Sequence, residues 1–159
     1  MAKSKQIKTK TSKSKEEKTP VFAFLKTRQT QNILGLFLIL FSVFLCIAFI
    51  SFFFNWQADQ STLNHLTDKT VKSNNLLGKI GANLSHFFIY KGFGIAAFFI
   101  VYQVFVTGFY ILIIRKFAKI IISWNWGLLS MVWLSITLGF LHQKYALLSG
   151  IVGFEINNY

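Results

Sequence analysis

Three long runs of apolar residues dominate the hydropathy pattern of the chain, and none of them contains Asp, Glu, Lys, Arg or His. The runs are 33–54, 93–114 and 120–141. At a rise of about 1.5 Å per residue, each run would form a helix of roughly 33 Å, which matches a hydrocarbon core of about 30 Å. The pattern therefore predicts an all-α membrane protein with three transmembrane helices.

A shorter amphipathic pattern lies between the first two spans. Over residues 77–90 apolar side chains recur at helical spacing and polar side chains fall opposite them, which predicts an outer helix lying on the membrane–water interface. The apolar positions are Leu77, Ile80, Leu84, Phe87 and Phe88, and the polar positions are Lys79, Asn83, His86 and Tyr90. Gly92 and Gly94 then turn the chain into the second span.

A few polar and small residues inside or beside the spans carry expectations about packing. Gln103 is the strongly polar side chain of the second span, so it needs a hydrogen-bond partner in the bundle or a wet cavity, and we favour packing. The third span contains two small-xxx-small pairs that would allow close approach of a neighbouring helix. The pairs are Ser123 with Gly127 and Ser135 with Gly139. Four amphipathic aromatic residues are predicted to mark span ends: Trp56, Tyr90, Trp124 and Trp126.

Basic residues are distributed unevenly along the chain. Nine precede the first span and three lie between the second and third spans, so twelve of the seventeen fall on one side of the predicted membrane. They are Lys3, Lys5, Lys8, Lys10, Lys13, Lys15, Lys18, Lys26, Arg28, Arg115, Lys116 and Lys119. Because cytoplasmic loops carry the excess of Lys and Arg, we expect the N-terminus and the turn 115–119 in the cytoplasm. The outer loop 55–92 and the outer tail 142–159 would then face the other side.

Composition divides the chain into two regions. Residues 1–28 alternate Lys with Ser, Thr and Gln and contain little that is apolar, which predicts a disordered cytoplasmic arm. Residues 29–159 form one transmembrane domain. The charge of the arm suits anionic lipid or nucleic acid, but no aromatic residue precedes Phe22, so base stacking has no partner among the lysines. We favour a topology anchor that contacts the membrane.

Sequence motifs for catalysis or cofactor binding are absent. Neither G-x-x-x-x-G-K-[ST] nor G-x-G-x-x-G occurs, which predicts no nucleotide site in this chain. His65, His86 and His142 are scattered without the spacing of metal ligands, and the single cysteine, Cys46, can form no intrachain disulfide. Because the spans carry no Asp, Glu, Lys, Arg or His, transport by this chain alone is disfavoured. Anchoring or scaffolding remains.

Three segments carry a resemblance to a known family: SFFFNWQADQS at 51–61, NLLGKIGANL at 75–84 and SGIVGFEINNY at 149–159. Together with the order of the spans, they resemble the N-terminal four-span membrane domain of FtsK/SpoIIIE-type DNA translocases. The residues that match are Trp56, Asp59, Ser61, Asn75, Gly78, Gly81, Ala82, Leu84, Gly150 and Gly153. The resemblance implies that Gly78 and Gly81 allow close backbone approach, either to the spans or to a partner division protein.

The resemblance also implies a function for the whole protein. A translocase of this kind is an ATP-dependent motor that segregates chromosomal DNA at the division septum, and this domain anchors it in the bacterial inner membrane. Tyr159 precedes any fourth span and any motor, so we expect the chain to be a truncated piece. ATP, Mg²⁺, DNA binding and homo-oligomerisation are then expected of the missing motor. The chain itself would contact the lipid bilayer and division-site membrane proteins, without catalysis or cofactor.

Two other readings of the sequence remain open. One is a small oligomeric membrane protein, a transporter or pore subunit unrelated to DNA, in which Gln103 faces the centre of the oligomer. The other is a membrane-tethered nucleic-acid binder that uses the lysine arm, with affinity that falls steeply as salt rises. A P-loop further along the same reading frame is expected only for the translocase.

Overall fold

The computed structural model describes residues 27–60, 63, 72–114, 117–141 and 145–159. Nearly all of the predicted arm 1–28, much of the outer loop 55–92 and part of the turn 115–119 lie outside these residues. Within the described ranges every regular element is a helix. The prediction of an all-α membrane protein is therefore confirmed.

The helices follow one another with short interruptions. They are α1 (Arg28–Asp59), α2 (Gly78–Ser85) continuing as a π-helical segment (His86–Phe93), a 3₁₀ turn (Gly94–Ala97), α3 (Phe98–Phe109) continuing as a π-helical turn (Tyr110–Ile114), α4 (Phe117–Gly139) and α5 (Ala146–Asn158). Three helical stretches among the described residues are long and apolar enough to cross a membrane: Arg28–Asp59, Gly78–Ile114 and Lys119–Gly139. The first two contain the predicted spans 33–54 and 93–114, and the third covers the predicted span 120–141 except for its last two residues.

Two glycines let α1 and α3 pack backbone to backbone. A Cβ atom on Gly35 would lie 2.9 Å from the carbonyl oxygen of Gly108, and a Cβ atom on Gly108 would lie 2.8 Å from that of Gly35. Helices approach this closely in membranes where small residues remove the side chains between them. Toward the other end of α1, Phe49 packs edge-on against Phe98 of α3, with ring centroids 5.6 Å apart. The two spans are therefore in contact along most of their length.

Gln103 joins α3 to α4, because both ends of its side-chain amide are hydrogen-bonded to Ser123. Its Nε2 donates to the carbonyl oxygen of Ser123, and its Oε1 accepts from Ser123 Oγ at 2.8 Å. A Cβ atom on Gly127 would collide with this amide, so glycine makes room for it. Trp124 Nε1 adds a bond of 2.8 Å to Thr107 Oγ1. The expectation that Gln103 packs within the bundle is confirmed.

The helices and the hydropathy runs differ in their limits. The predicted first span began at Ile33, whereas α1 begins at Arg28, after Thr27, whose side chain accepts a hydrogen bond from Thr30 N at 3.4 Å. Capping side chains, rather than hydropathy, decide where a helix starts. The third predicted span began at Ile120, whereas α4 begins at Phe117, so Trp126 lies nine residues from the start of the helix.

The contact between Gly35 and Gly108 yields a stability prediction. Replacing Gly108 with Leu would force α1 and α3 apart, because the new side chain meets the backbone of Gly35 and the Ile39 side chain. We expect a loss of about 1–3 kcal/mol, the usual cost of overpacking, seen as a lower Tm of the detergent-purified protein. Phe109→Leu, at the exposed neighbouring position, is the matched control. Equal Tm values for the two variants would contradict the backbone contact.

Candidate functional site

Most of the motif residues from the sequence lie at one end of the bundle, the end where α1 finishes at Asp59, which we call the Asp59 end. They are arranged in two segments, each built around a G-x-x-G sequence. The first glycine element is residues 73–93, with Gly78 and Gly81. The second glycine element is residues 145–158, with Gly150 and Gly153.

Asn75 fixes the start of the first glycine element against α1. Its side chain is almost fully buried; Nδ2 donates to the carbonyl oxygen of Ala48 at 3.0 Å, and Oδ1 accepts from the backbone N of Leu77 at 3.0 Å. The backbone N of Leu76 donates to Ser51 Oγ at 2.9 Å. These bonds supply partners for backbone groups that precede the helix, where buried polar groups would otherwise be costly.

Asp59 holds the chain just before Asn75. Its fully buried carboxylate accepts, at Oδ1, hydrogen bonds from Ser73 Oγ at 2.9 Å and from the backbone N of Asn74 at 2.6 Å. Ser73 Oγ in turn accepts from Asn75 N at 3.2 Å. The aspartate therefore ties the last turn of α1 to the first glycine element.

The two glycines of the first element have different roles. Gly78 has φ +63° and open space where a Cβ atom would be, so its backbone conformation is what favours glycine. A Cβ atom on Gly81 would lie 2.5 Å from Asn75 Oδ1, so Gly81 leaves room for the Asn75 side chain. Ala82 is fully buried, and Leu84 packs against the core. Gly81 therefore faces the Asn75 side chain of its own element.

The predicted outer helix packs against α1. Asn75, just before the helix, reaches Ala48, and Phe88 within it packs against Phe49 at 6.0 Å between ring centroids. Both contacts fall near the Asp59 end of α1.

The predicted apolar face of this helix is also divided. Leu77, Leu84 and Phe88 pack against the core, whereas Ile80 and Phe87 are exposed. The hydropathy pattern could not separate them because the buried face is filled by small residues as well as by large apolar ones. These small residues are Gly81, Ala82 and Ser85.

Trp56 forms a separate contact at the Asp59 end. Its ring stacks on Tyr90, with centroids 6.1 Å apart, and Tyr90 stacks on His86 at 5.1 Å. Aromatic stacking of this kind adds to the burial of the rings themselves. Trp56 therefore joins α1 to the end of the first glycine element. Ser61, the remaining motif residue of this segment, lies outside the described residues.

The second glycine element packs on α4 through small residues. Ser135 Oγ donates to the carbonyl oxygen of Ser149 at 2.7 Å, and a Cβ atom on Gly153 would collide with the Ser135 backbone. One turn further along both helices, Asn157 Nδ2 donates to the carbonyl oxygen of Ile136 at 2.6 Å and lies against Gly139. The predicted small pair Ser135 and Gly139 therefore does receive a neighbouring helix. That helix is α5, within the segment predicted as an outer tail.

Glycine backbones also bring the two elements into direct contact. Gly94 and Gly150 both have positive φ, +63° and +65°. A Cβ atom on Gly150 would collide with the Gly92 carbonyl oxygen, and one on Gly94 with the Leu148 carbonyl oxygen. The turn that leads into α3 thus lies directly on the non-helical backbone at Gly150 in α5, with no side chain between them.

Sequence reasoning missed Ser51 of α1, and for Ser135 of α4 it predicted close packing but not the hydrogen bond. A signal for them exists, because they end two similar heptapeptides, LCIAFIS at 45–51 and LSMVWLS at 129–135. Each serine bonds to backbone just before a glycine of positive φ, Gly78 or Gly150. Among the described residues no group of three or more His, Cys, Asp or Glu could hold a metal ion. The polar side chains named above hold the two glycine elements to α1 and α4 by hydrogen bonds.

Asparagine substitutions distinguish two of the positive-φ glycines, Gly78 and Gly150. Asn is one of the few residues that adopts this backbone region at low cost. We expect Gly78→Asn, where space is open, to leave Tm of the detergent-purified protein within a few degrees of the parent. Gly150→Asn should lower Tm strongly, because its side chain must displace the Gly92 backbone. A small effect at Gly150, equal to that at Gly78, would contradict the contact between the two elements.

Comparison with known protein families identifies the family of this chain. Residues 27–159 match the family described as the 4TM region of DNA translocase FtsK/SpoIIIE. No curated protein and no solved structure matches the chain. The match covers all of the described helices, including both glycine elements and the three apolar spans. The chain belongs to the FtsK/SpoIIIE four-transmembrane-region family.

Proposed function

We propose that this domain anchors a DNA translocase in the bacterial inner membrane and directs it to the division septum. The observation that carries the proposal is the match of residues 27–159 to the membrane region of DNA translocases. In this role the domain holds a motor at the membrane, and the motor supplies ATP hydrolysis, DNA movement and oligomerisation. Division-site membrane proteins are its partners.

The internal packing of the spans favours an anchor over the alternative of a transporter or pore subunit. Gln103 was the polar residue that a wet pathway would have needed, and its side-chain amide is instead bonded to Ser123 and nearly fully buried. Thr107 is likewise bonded, to the Gln103 carbonyl oxygen at 2.7 Å. Polar groups in a membrane pathway have to face water or substrate. Here they hold α3 to α4.

The charge distribution supports an N-terminus in the cytoplasm. Of the seventeen basic residues, the nine before the first span and the three of the 115–119 segment share one side of the membrane. The described acidic residues, Asp59 and Glu155, lie at the opposite end, in α1 near its finish and in α5. The Asp59 end, with both glycine elements, would then face the outer side, where it is accessible to other septal membrane proteins.

Orientation is testable by thiol labelling in cells. In a Cys46→Ser background, we expect Lys72→Cys, an exposed position at the Asp59 end, to react with a membrane-impermeant maleimide added to intact cells whose outer barrier is opened. Lys5→Cys in the arm should react only after the inner membrane is lysed. The reverse order of labelling would show that the N-terminus is outside and would remove the topological basis of the proposal.

Septal targeting is testable by imaging the protein expressed from its own gene. A fluorescent protein fused to Met1 should concentrate in a band at the constriction site of dividing cells. A second multi-pass membrane protein, tagged in the same way and expressed at a similar level, should outline the whole cell and serves as the control. An even outline for both fusions would reject targeting to the septum while leaving membership of the family intact.

A further inference from the structure

The chain contains two copies of one structural unit. In each copy a span carries a leucine followed six residues later by a serine. The two segments are LCIAFIS at 45–51 and LSMVWLS at 129–135. The closing serine, Ser51 or Ser135, bonds to the backbone just before a glycine of positive φ. A second glycine follows three residues later in both copies, Gly81 and Gly153. The unit α1 with the first glycine element thus corresponds to α4 with the second.

In the first copy, α3 covers one face of α1. The face consists of Ser42, Leu45 and Phe49, which are 2%, 2% and 0% exposed. Phe49 meets Phe98 of α3 at 5.6 Å, and Leu45 belongs to the same buried cluster as Val101 of α3. These three positions lie nine, six and two residues before Ser51, on the side of the helix away from that serine.

In the second copy the corresponding face of α4 is open. The residues nine, six and two positions before Ser135 are Trp126, Leu129 and Trp133, which are 66%, 60% and 66% exposed. Leu129 corresponds to Leu45 and Trp133 to Phe49, whereas Trp126 stands where the first copy has Ser42. We call Trp126, Leu129 and Trp133 the α4 stripe. This face is buried in the first copy and exposed in the second.

The depth of the two tryptophans argues against lipid as the covering of the α4 stripe. The midpoint of α4, which runs from Phe117 to Gly139, is within about 8 Å of both Trp126 and Trp133 at 1.5 Å per residue. That is inside a hydrocarbon layer of about 30 Å. Tryptophan in contact with lipid is enriched at the two interfaces instead, where the indole N–H meets water. Two deep tryptophans on one face are better explained by a protein partner.

The number of spans identifies the kind of partner. The family is described by four transmembrane segments, and the described residues of this chain contain three stretches able to span a membrane. We propose that the α4 stripe is the docking face of the fourth transmembrane helix of the same protein, which runs antiparallel to α4 as α3 runs antiparallel to α1. This inference rests on the repeat and the family description, and it is independent of septal targeting.

Site-specific photo-crosslinking tests the docking face. The protein is expressed from its own gene in its own membranes, with a benzophenone amino acid replacing Trp133 or, in a second variant, Trp126. Both replacements keep a large aromatic side chain, so the fold is preserved. The control carries the same amino acid at Tyr102, an aromatic position of α3 with similar exposure, 61%. After irradiation, crosslinked peptides are mapped by mass spectrometry.

We expect a particular crosslinked peptide and a particular order of attachment points along it. Positions 133 and 126 should both crosslink to one apolar peptide of the same protein that is none of α1, α3 or α4, while Tyr102 gives no crosslink to that peptide. The attachment point from 126 should lie about seven residues, two helical turns, after that from 133, because the partner is antiparallel. Lipid adducts alone at 133 and 126, crosslinks to the spans of a second copy, or the opposite order of attachment points would each overturn the proposal.

Discussion

Backbone amides and carbonyls that lie at membrane depth need hydrogen-bond partners from the protein itself, because lipid offers none. A continuous helix meets this requirement internally, but each glycine element interrupts the helical pattern alongside a span. Polar side chains at the Asp59 end bond to backbone groups: Asp59 and Ser51 accept from backbone N–H groups, while Asn75, Ser135 and Asn157 donate to carbonyl oxygens. The glycine at position 81 follows from one of these side chains, because a Cβ atom there would meet Asn75 Oδ1.

The sequence was sufficient for those parts of the fold that depend on composition or on a single side chain. Uninterrupted apolar runs predicted three spans, and the cost of an unpaired amide predicted that Gln103 would be bonded within the bundle. The location of the glycine elements was not predictable in the same way. Leu77 and Ile80 have similar hydropathy, yet one packs on the core and the other is exposed, because the choice depends on where Ser51 and Asn75 fix the start of the helix. That information is tertiary, so periodicity alone could not provide it.

The motif residues also show how a resemblance and a structure contribute different knowledge. The resemblance grouped Gly78, Gly81, Gly150 and Gly153 as one kind of residue. The structure separates them: Gly78 is set by backbone conformation, Gly81 by the Asn75 side chain, and Gly150 and Gly153 by neighbouring backbone. A bulky side chain at Gly81 would therefore disturb the fold before it reached any partner. Surface positions such as Ile80 and Phe87 are the ones that remain available for contacts outside the chain.

The direct backbone contact of Gly94 and Gly150 has a mechanical consequence. Side chains between helices yield to compression because their torsions rotate, whereas two backbones in contact leave no such freedom. A displacement of α5 toward the turn into α3 is therefore blocked at this contact, so that turn must move with it. Displacement of α5 away from α4 is opposed instead by the hydrogen bonds of Ser135 and Asn157. In this way α5 is held on one side by repulsion and on the other by hydrogen bonds.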